Sequence, residues 1–147
     1  MQTYADPCET KSLGGSIYIL LFTDDYTCYS WVYFIKAKAQ AFDCFKKFKA
    51  LAERQSGNSI KALCTDRGGE FLSKDFQSFC EEQRIHRELT APYSPERNGV
   101  VERKNPTVTE MAHSLLKGKN LPNCFWAKVV ATAVYLLNIS PTKAVAN

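Results

Sequence analysis

The feature that most narrows the fold is the order in which β-rich and helical apolar patterns follow one another. Residues 16–23 and 29–36 are rich in Ile, Leu, Val, Tyr, Phe and Trp, with the polar stretch Asp24-Asp25-Tyr26-Thr27-Cys28 between them. Two short β-rich runs with a short polar connection predict an antiparallel hairpin. The pattern then changes over residues 39–54. Phe42, Phe45, Phe48 and Leu51 recur at helical spacing, Lys46, Lys47 and Lys49 fall largely off that line, and Ser56-Gly57 ends the run. That is an amphipathic helix. Residues 60–65 read as a short strand, residues 66–70 as a Gly-Gly turn, and residues 74–83 as a helix capped by Ser73 with Phe76, Phe79 and Cys80 on its apolar face. A weak strand over residues 85–89 leads into a loop punctuated by Pro92, Pro95 and Asn98-Gly99.

Two further helices close the chain. One lies between residues 98 and 117, with Val108, Met111, Ala112 and Leu115 as its stripe. The other, about residues 123–138, is apolar almost all round and is expected to be well buried. Strand, strand, helix, strand, helix, strand, then helices is an α/β order. It implies a mixed β-sheet flanked by helices.

Composition bounds the function. A chain of 147 residues is one domain and buries enough surface to fold without staples. With 45% hydrophobic and 23% charged residues it is neither disordered nor fibrous. The formal charge is +4, and the positive charge collects in two places. Residues 31–54 carry six basic and two acidic side chains, and residues 84–119 carry seven and four. This permits a nucleic-acid partner without demanding one.

The six cysteines show no C-x-x-C spacing, and His86 and His113 stand alone. They read as reduced thiols of a nuclear or cytoplasmic protein, not one that is secreted, and a zinc site is disfavoured. The longest apolar stretch, residues 125–137, is broken by Lys128 and is too short to span a bilayer, so no membrane partner is expected.

The chemistry gathers around two acids. Asp66 ends a strand and enters the Gly-Gly turn; Glu102 follows the Pro- and Gly-rich loop at a helix start, with 35 residues between them. Metal-dependent phosphoryl transfer needs carboxylates from separate elements converging on hard cations. Taken alone the pair decides nothing, since both placements are locally favourable.

Their surroundings are more specific. Leu63-Cys64-Thr65-Asp66-Arg67-Gly68-Gly69-Glu70-Phe71, Thr90-Ala91-Pro92-Tyr93-Ser94-Pro95 and Asn98-Gly99-Val100-Val101-Glu102-Arg103-Lys104-Asn105 resemble the integrase catalytic core of Ty1/copia-type retrotransposons. So do Ser12-Leu13-Gly14-Gly15, Asp24-Asp25-Tyr26, Trp31-Val32-Tyr33-Phe34 and Tyr135-Leu136-Leu137-Asn138. The resemblance covers about residues 11–144.

It implies a ribonuclease H-like fold and a single catalytic core domain over residues 1–147, a fragment of a longer polyprotein. It implies a Mg²⁺- or Mn²⁺-dependent polynucleotidyl transferase that processes DNA 3′ ends and joins them to target DNA. By this match Asp66 and Glu102 are catalytic and metal-holding, with Asp6 as the candidate first aspartate. Arg67, Asn98, Arg103 and Lys104 would lie near phosphates of the retroelement ends and target DNA, neutralising charge rather than reading sequence. A homo-oligomer is expected.

Three departures from the family pattern point to an impaired copy. Asp6-Pro7-Cys8 lies close to Leu13, and Pro7 cannot donate a ladder hydrogen bond, so the first strand is expected to be truncated or rebuilt. Pro106 stands one turn past Glu102, where relatives carry a basic residue, and is expected to interrupt the helix or to start a new one capped by Asn105. Cys28 replaces the arginine usual in that turn. The alternative is a non-catalytic nucleic-acid-binding module on the same fold. A ribonuclease H-like nuclease is disfavoured by the 35-residue spacing and the Asn98-Gly99 loop. A domain retained for protein contacts would show an exposed apolar face on the last helix.

Overall fold

The computed structural model describes residues 2–7, 11–65, 71–89 and 99–140; for residues 2–7, 89 and 99–107 it describes the backbone alone. Strand β2 (Tyr18–Thr23) carries two apolar sets. Leu20 and Phe22 pack on one face of the sheet, Ile19 and Leu21 on the other. A strand buried on both faces belongs inside a sheet that is covered on both sides.

Strand β3 (Ser30–Ile35) pairs antiparallel with β2, from Thr23↔Ser30 to Tyr18↔Ile35. Strand β1 (Gln2–Pro7) flanks β2 on its other side, also antiparallel, from Gln2↔Thr23 to Pro7↔Tyr18. Strands β4 (Ala62–Thr65) and β5 (His86–Leu89) extend the sheet in parallel, giving the order β3-β2-β1-β4-β5. Parallel neighbours need crossovers. Helices α1 (Ala41–Ser56) and α2 (Lys74–Glu82) supply them.

Both crossover helices cover the same face. Phe45, Phe48 and Phe76 meet Leu20, Phe22 and Leu63 there, and Phe22 stacks on Phe48 with ring centroids 4.3 Å apart. Helices α3 (Gly99–Gly118) and α4 (Trp126–Ile139) cover the other face, where Val108, Ala112, Val129 and Val134 pack on Leu21.

Local signals hold where they were strongest. The carboxylate of Asp24 accepts the Thr27 backbone N–H at 3.1 Å and the Thr27 hydroxyl at 2.7 Å, so this acid is a turn residue. Cys28 takes a left-handed conformation, φ 60°, at the end of that turn. The hydroxyl of Ser73 caps α2 by accepting the Phe76 N–H.

Three expectations are corrected and a fourth is made definite. The first strand, expected to be truncated or rebuilt, spans residues 2–7 and pairs all six of them in register with β2. Pro7 takes the last pair, where a missing donor ends the ladder rather than interrupting it. Helix α3 runs through Pro106 without a break. Its Val108, Met111, Ala112 and Leu115 face packs on α4 and the sheet, and that burial outweighs the local cost of proline.

The buried stripe of α1 is Ala41, Phe45, Phe48 and Ala52, while Leu51 is 42% exposed. Nine residues at about 100° each put Leu51 opposite Phe42 on the helix, so a strict three-residue step overstates the stripe. Finally, α4 is not buried all round. Tyr135 and Ile139, one turn apart, are 63% and 62% exposed, because sheet and α3 cover only one side of it.

Candidate active site

In sheets with parallel strands, function gathers beyond the carboxyl ends of the strands. Strand β4 ends at that edge. Leu63, Cys64 and Thr65 are all buried, and Thr65 pairs with Leu89 of β5. Asp66 follows Thr65 directly and lies outside the described residues, as do Arg67 and Asn98.

Asp6 lies on β1, the neighbour of β4 that runs in the same direction. Counted from the Gln2↔Cys64 pair, Asp6 is four residues along β1, whereas β4 ends one residue along, at Thr65. The three-residue difference is about 10 Å of strand. Asp6 is registered opposite Ile19, which packs toward α3 and α4. Glu102, Arg103 and Lys104 are in the first turns of α3, and α3 packs against β1. The fold therefore brings the carriers of all three acids, β1, the end of β4 and α3, to neighbouring positions.

Three contacts fix this frame. Glu53, near the end of α1, accepts the Ile60 N–H at 2.9 Å and the Lys49 ammonium at 2.9 Å, which holds the lead-in to β4. Burial opposes ionisation of Glu53, but the hydrogen bonds from Lys49 and Ile60 outweigh it and hold the carboxyl below the usual glutamate value. Asn138 of α4 brackets the start of β3, accepting the Ser30 N–H at 2.9 Å and donating to the Ser30 carbonyl at 2.8 Å.

The third contact was missed in the sequence. The Arg87 guanidinium, on β5, donates to the carbonyl of Phe71 and lies 4.6 Å from the ring centre of Phe76. Burial lowers the pKa of Arg87, and the neighbouring Cys80 opposes that shift. The available signal was alternation: Ile85 is buried, so the residue two along shares its inward face.

The donor set fits a hard divalent cation. All three candidate ligands are carboxylates, the donors that Mg²⁺ and Mn²⁺ favour. Among the described residues no group of three or more His, Cys, Asp or Glu is placed to hold a metal. Cys28, Cys44, Cys64, Cys80 and Cys124 stand as thiols. Among the described residues no helix is long and apolar enough to cross a membrane.

Comparison with known proteins agrees with this fold. The Retrovirus-related Pol polyprotein from transposon TNT 1-94 of Nicotiana tabacum is 44% identical over 142 residues, covering 95% of this chain and 11% of that protein. The corresponding polyprotein from transposon RE2 of Arabidopsis thaliana is 36% identical over 131 residues, covering 89% of this chain and 9% of that protein. The chain thus spans about a tenth of the length of these relatives.

The crystal structure of the catalytic core domain of BIV integrase superposes with a TM-score of 0.69 at 17% identity, covering 96% of this chain and 84% of that one. The fold is therefore the ribonuclease H-like fold that the sequence motifs imply. The integrase core domain model matches residues 4–95, more than half of the 147 residues, so the chain belongs to the integrase core domain family.

Proposed function

We propose that this chain is the catalytic core of a retrotransposon integrase, one domain of a longer polyprotein, acting on the DNA ends of its element and on target DNA. The observation that carries the reading is the integrase core match over residues 4–95, which includes Asp66, together with Glu102 at the 35-residue spacing. Asp66, Glu102 and Asp6 would hold Mg²⁺ or Mn²⁺. A metal held there would supply Lewis-acid chemistry for phosphoryl transfer. The protein's own part would be to present the carboxylates from β1, from the residue after β4 and from α3. Arg67, Asn98, Arg103 and Lys104 would steady the phosphates.

The test is Mn²⁺-dependent strand transfer with an oligonucleotide matching the element's terminal repeat. Asp66→Asn and Glu102→Gln should each abolish joining. Joining that persists in Asp66→Asn sinks the assignment. A second reading, a DNA-binding module without chemistry, is favoured by the position of Asp6 three residues past the level where β4 ends. Steeply salt-dependent DNA binding with no cleavage by the wild-type chain selects it. The exposed Tyr135 and Ile139 support a homo-oligomer, which light scattering reads directly.

A further inference from the structure

The sheet has two edges, and they are built differently. Among the described residues β3 and β5 are the outermost strands. Strand β5 is four residues long and carries His86, Arg87 and Glu88, with His86 and Glu88 exposed. Short length and charge are common ways to keep an edge from pairing with another chain. Strand β3 is six residues long, holds neither a charge nor a proline, and leaves Trp31, Val32, Tyr33 and Phe34 only half-buried. A long apolar edge of β-branched and aromatic residues is a pairing template.

Hydrogen bonds at the two ends of β3 show which backbone groups face outward. In an antiparallel pair, residues alternate between bonding their partner strand and pointing away from it. The N–H and C=O of Ser30 both turn away from β2, to Asn138. The C=O of Ile35 turns the other way and accepts the Ile17 N–H at 3.1 Å. Residues 30, 32, 34 and 36 therefore face the open edge. Side chains close both ends of it: Asn138 takes Ser30, and the Gln40 carbonyl oxygen accepts the Lys36 N–H at 2.8 Å. Between these caps, the outward N–H and C=O groups of Val32 and Phe34 meet no partner among the described residues.

The opening is symmetric about Tyr33. An antiparallel strand that sets its own residue 34 against Val32, and its residue 32 against Phe34, satisfies both residues at once. Charge selects the same partner. Lys36 and Lys38 follow one end of β3, and Asp24 and Asp25 precede the other. A second copy reversed about Tyr33 brings its acidic turn to the basic end of the first, and the two-fold axis repeats that contact. Tyr135 and Ile139 of α4, exposed within a turn of Asn138, add apolar surface beside the edge. We infer that β3 pairs antiparallel with β3 of a second copy about a two-fold axis at Tyr33, joining the two sheets into one. This specifies the homo-oligomer proposed above and is independent of the metal site.

The experiment uses the whole chain. Sedimentation equilibrium and light scattering read its mass across concentration at low salt, with thermal unfolding followed alongside. The wild type should dimerise reversibly. Val32→Pro removes an outward N–H and leaves the ladder to β2 intact, since proline is tolerated on an edge strand where its nitrogen faces away from the sheet. Each copy then loses one donor to the other, so the dissociation constant should rise on the order of tenfold or more. Lys36→Glu and Asp25→Lys should each weaken self-association by bringing like charges together. An equimolar mixture of these two variants should restore it, because each exchanged charge then meets its opposite.

A wild-type chain that stays monomeric up to roughly 1 mM overturns the inference. So does a dimer whose dissociation constant is unchanged in Val32→Pro; that result moves the homo-oligomer to another face and leaves the proposed activity untouched. A mixture of Lys36→Glu and Asp25→Lys that associates no better than either variant alone overturns the antiparallel register. If Val32→Pro does not fold, the charge-exchange mixture decides by itself, with the same expected and refuting results.

Discussion

Glu53 offers the cleanest test of how the frame of the site is held. Its two carboxylate oxygens have separate tasks: Oε1 accepts the Ile60 N–H and Oε2 accepts the Lys49 ammonium, both at 2.9 Å. The ion pair is sheltered, with side-chain exposures of 14% for Lys49 and 23% for Glu53, so it lies at the upper end of the range for surface pairs, roughly 1 kcal/mol. Removing the acceptor from a half-buried backbone N–H adds roughly 1–2 kcal/mol.

Glu53→Ala loses both and should cost about 2–3 kcal/mol, a fall in melting temperature of about 5–10 °C for a chain of this size. Glu53→Gln keeps an acceptor for Ile60 and loses only the charge, so it should cost about 1 kcal/mol. The sign with pH follows from the lowered carboxyl of Glu53. Its stabilisation is complete above the ordinary glutamate range and is lost as pH falls through the lowered folded value. Glu53→Gln should therefore flatten part of the acid limb of the stability profile. The assay is thermal and urea unfolding followed by tryptophan fluorescence across that pH range. If Glu53→Ala lies within about 0.5 kcal/mol of the wild type, the tie between α1 and the lead-in to β4 does not bear on stability and the reasoning fails.

Asn138→Ala should cost about 2–3 kcal/mol in urea unfolding, since it strips partners from both the N–H and the carbonyl of Ser30; Asn138→Asp, which keeps only the acceptor, should recover part of that. Gly57→Ala meets no atom within 4 Å of the added carbon, so its cost is conformational, about 1–2 kcal/mol from φ +71°; a larger loss would show that the space is not open. Pro106→Ala returns a backbone N–H to the interior of α3 and should stabilise the chain by up to about 3 kcal/mol; unchanged stability would show that the helix carries no proline penalty.

Much of the fold was legible because the deciding chemistry is local. The turn at Asp24 is read from a short polar stretch between two β-rich runs, and the cap at Ser73 from a serine directly before a helical apolar pattern. Local reasoning failed where packing outranks propensity. Pro106 reads as a helix breaker, yet α3 continues because its apolar face is pinned under α4 and the sheet. Leu51 reads as core, yet the 3.6-residue period carries it round to solvent.

The sequence by itself determined the element order, the family, and the pair Asp66 and Glu102 with their spacing, because these depend on residue type and on distance along the chain. Only the tertiary structure decided that β1 is central in the sheet, that Asp6 stands past the end of β4, and that Arg87 donates to the Phe71 carbonyl. Those facts depend on strand register and on contacts between residues remote in the chain. Asn138 and Ser30 are 108 positions apart, and a shift of one residue in register would exchange the two faces of a strand. Such relations come from the sheet and its two covers fitting together, and no single segment encodes them.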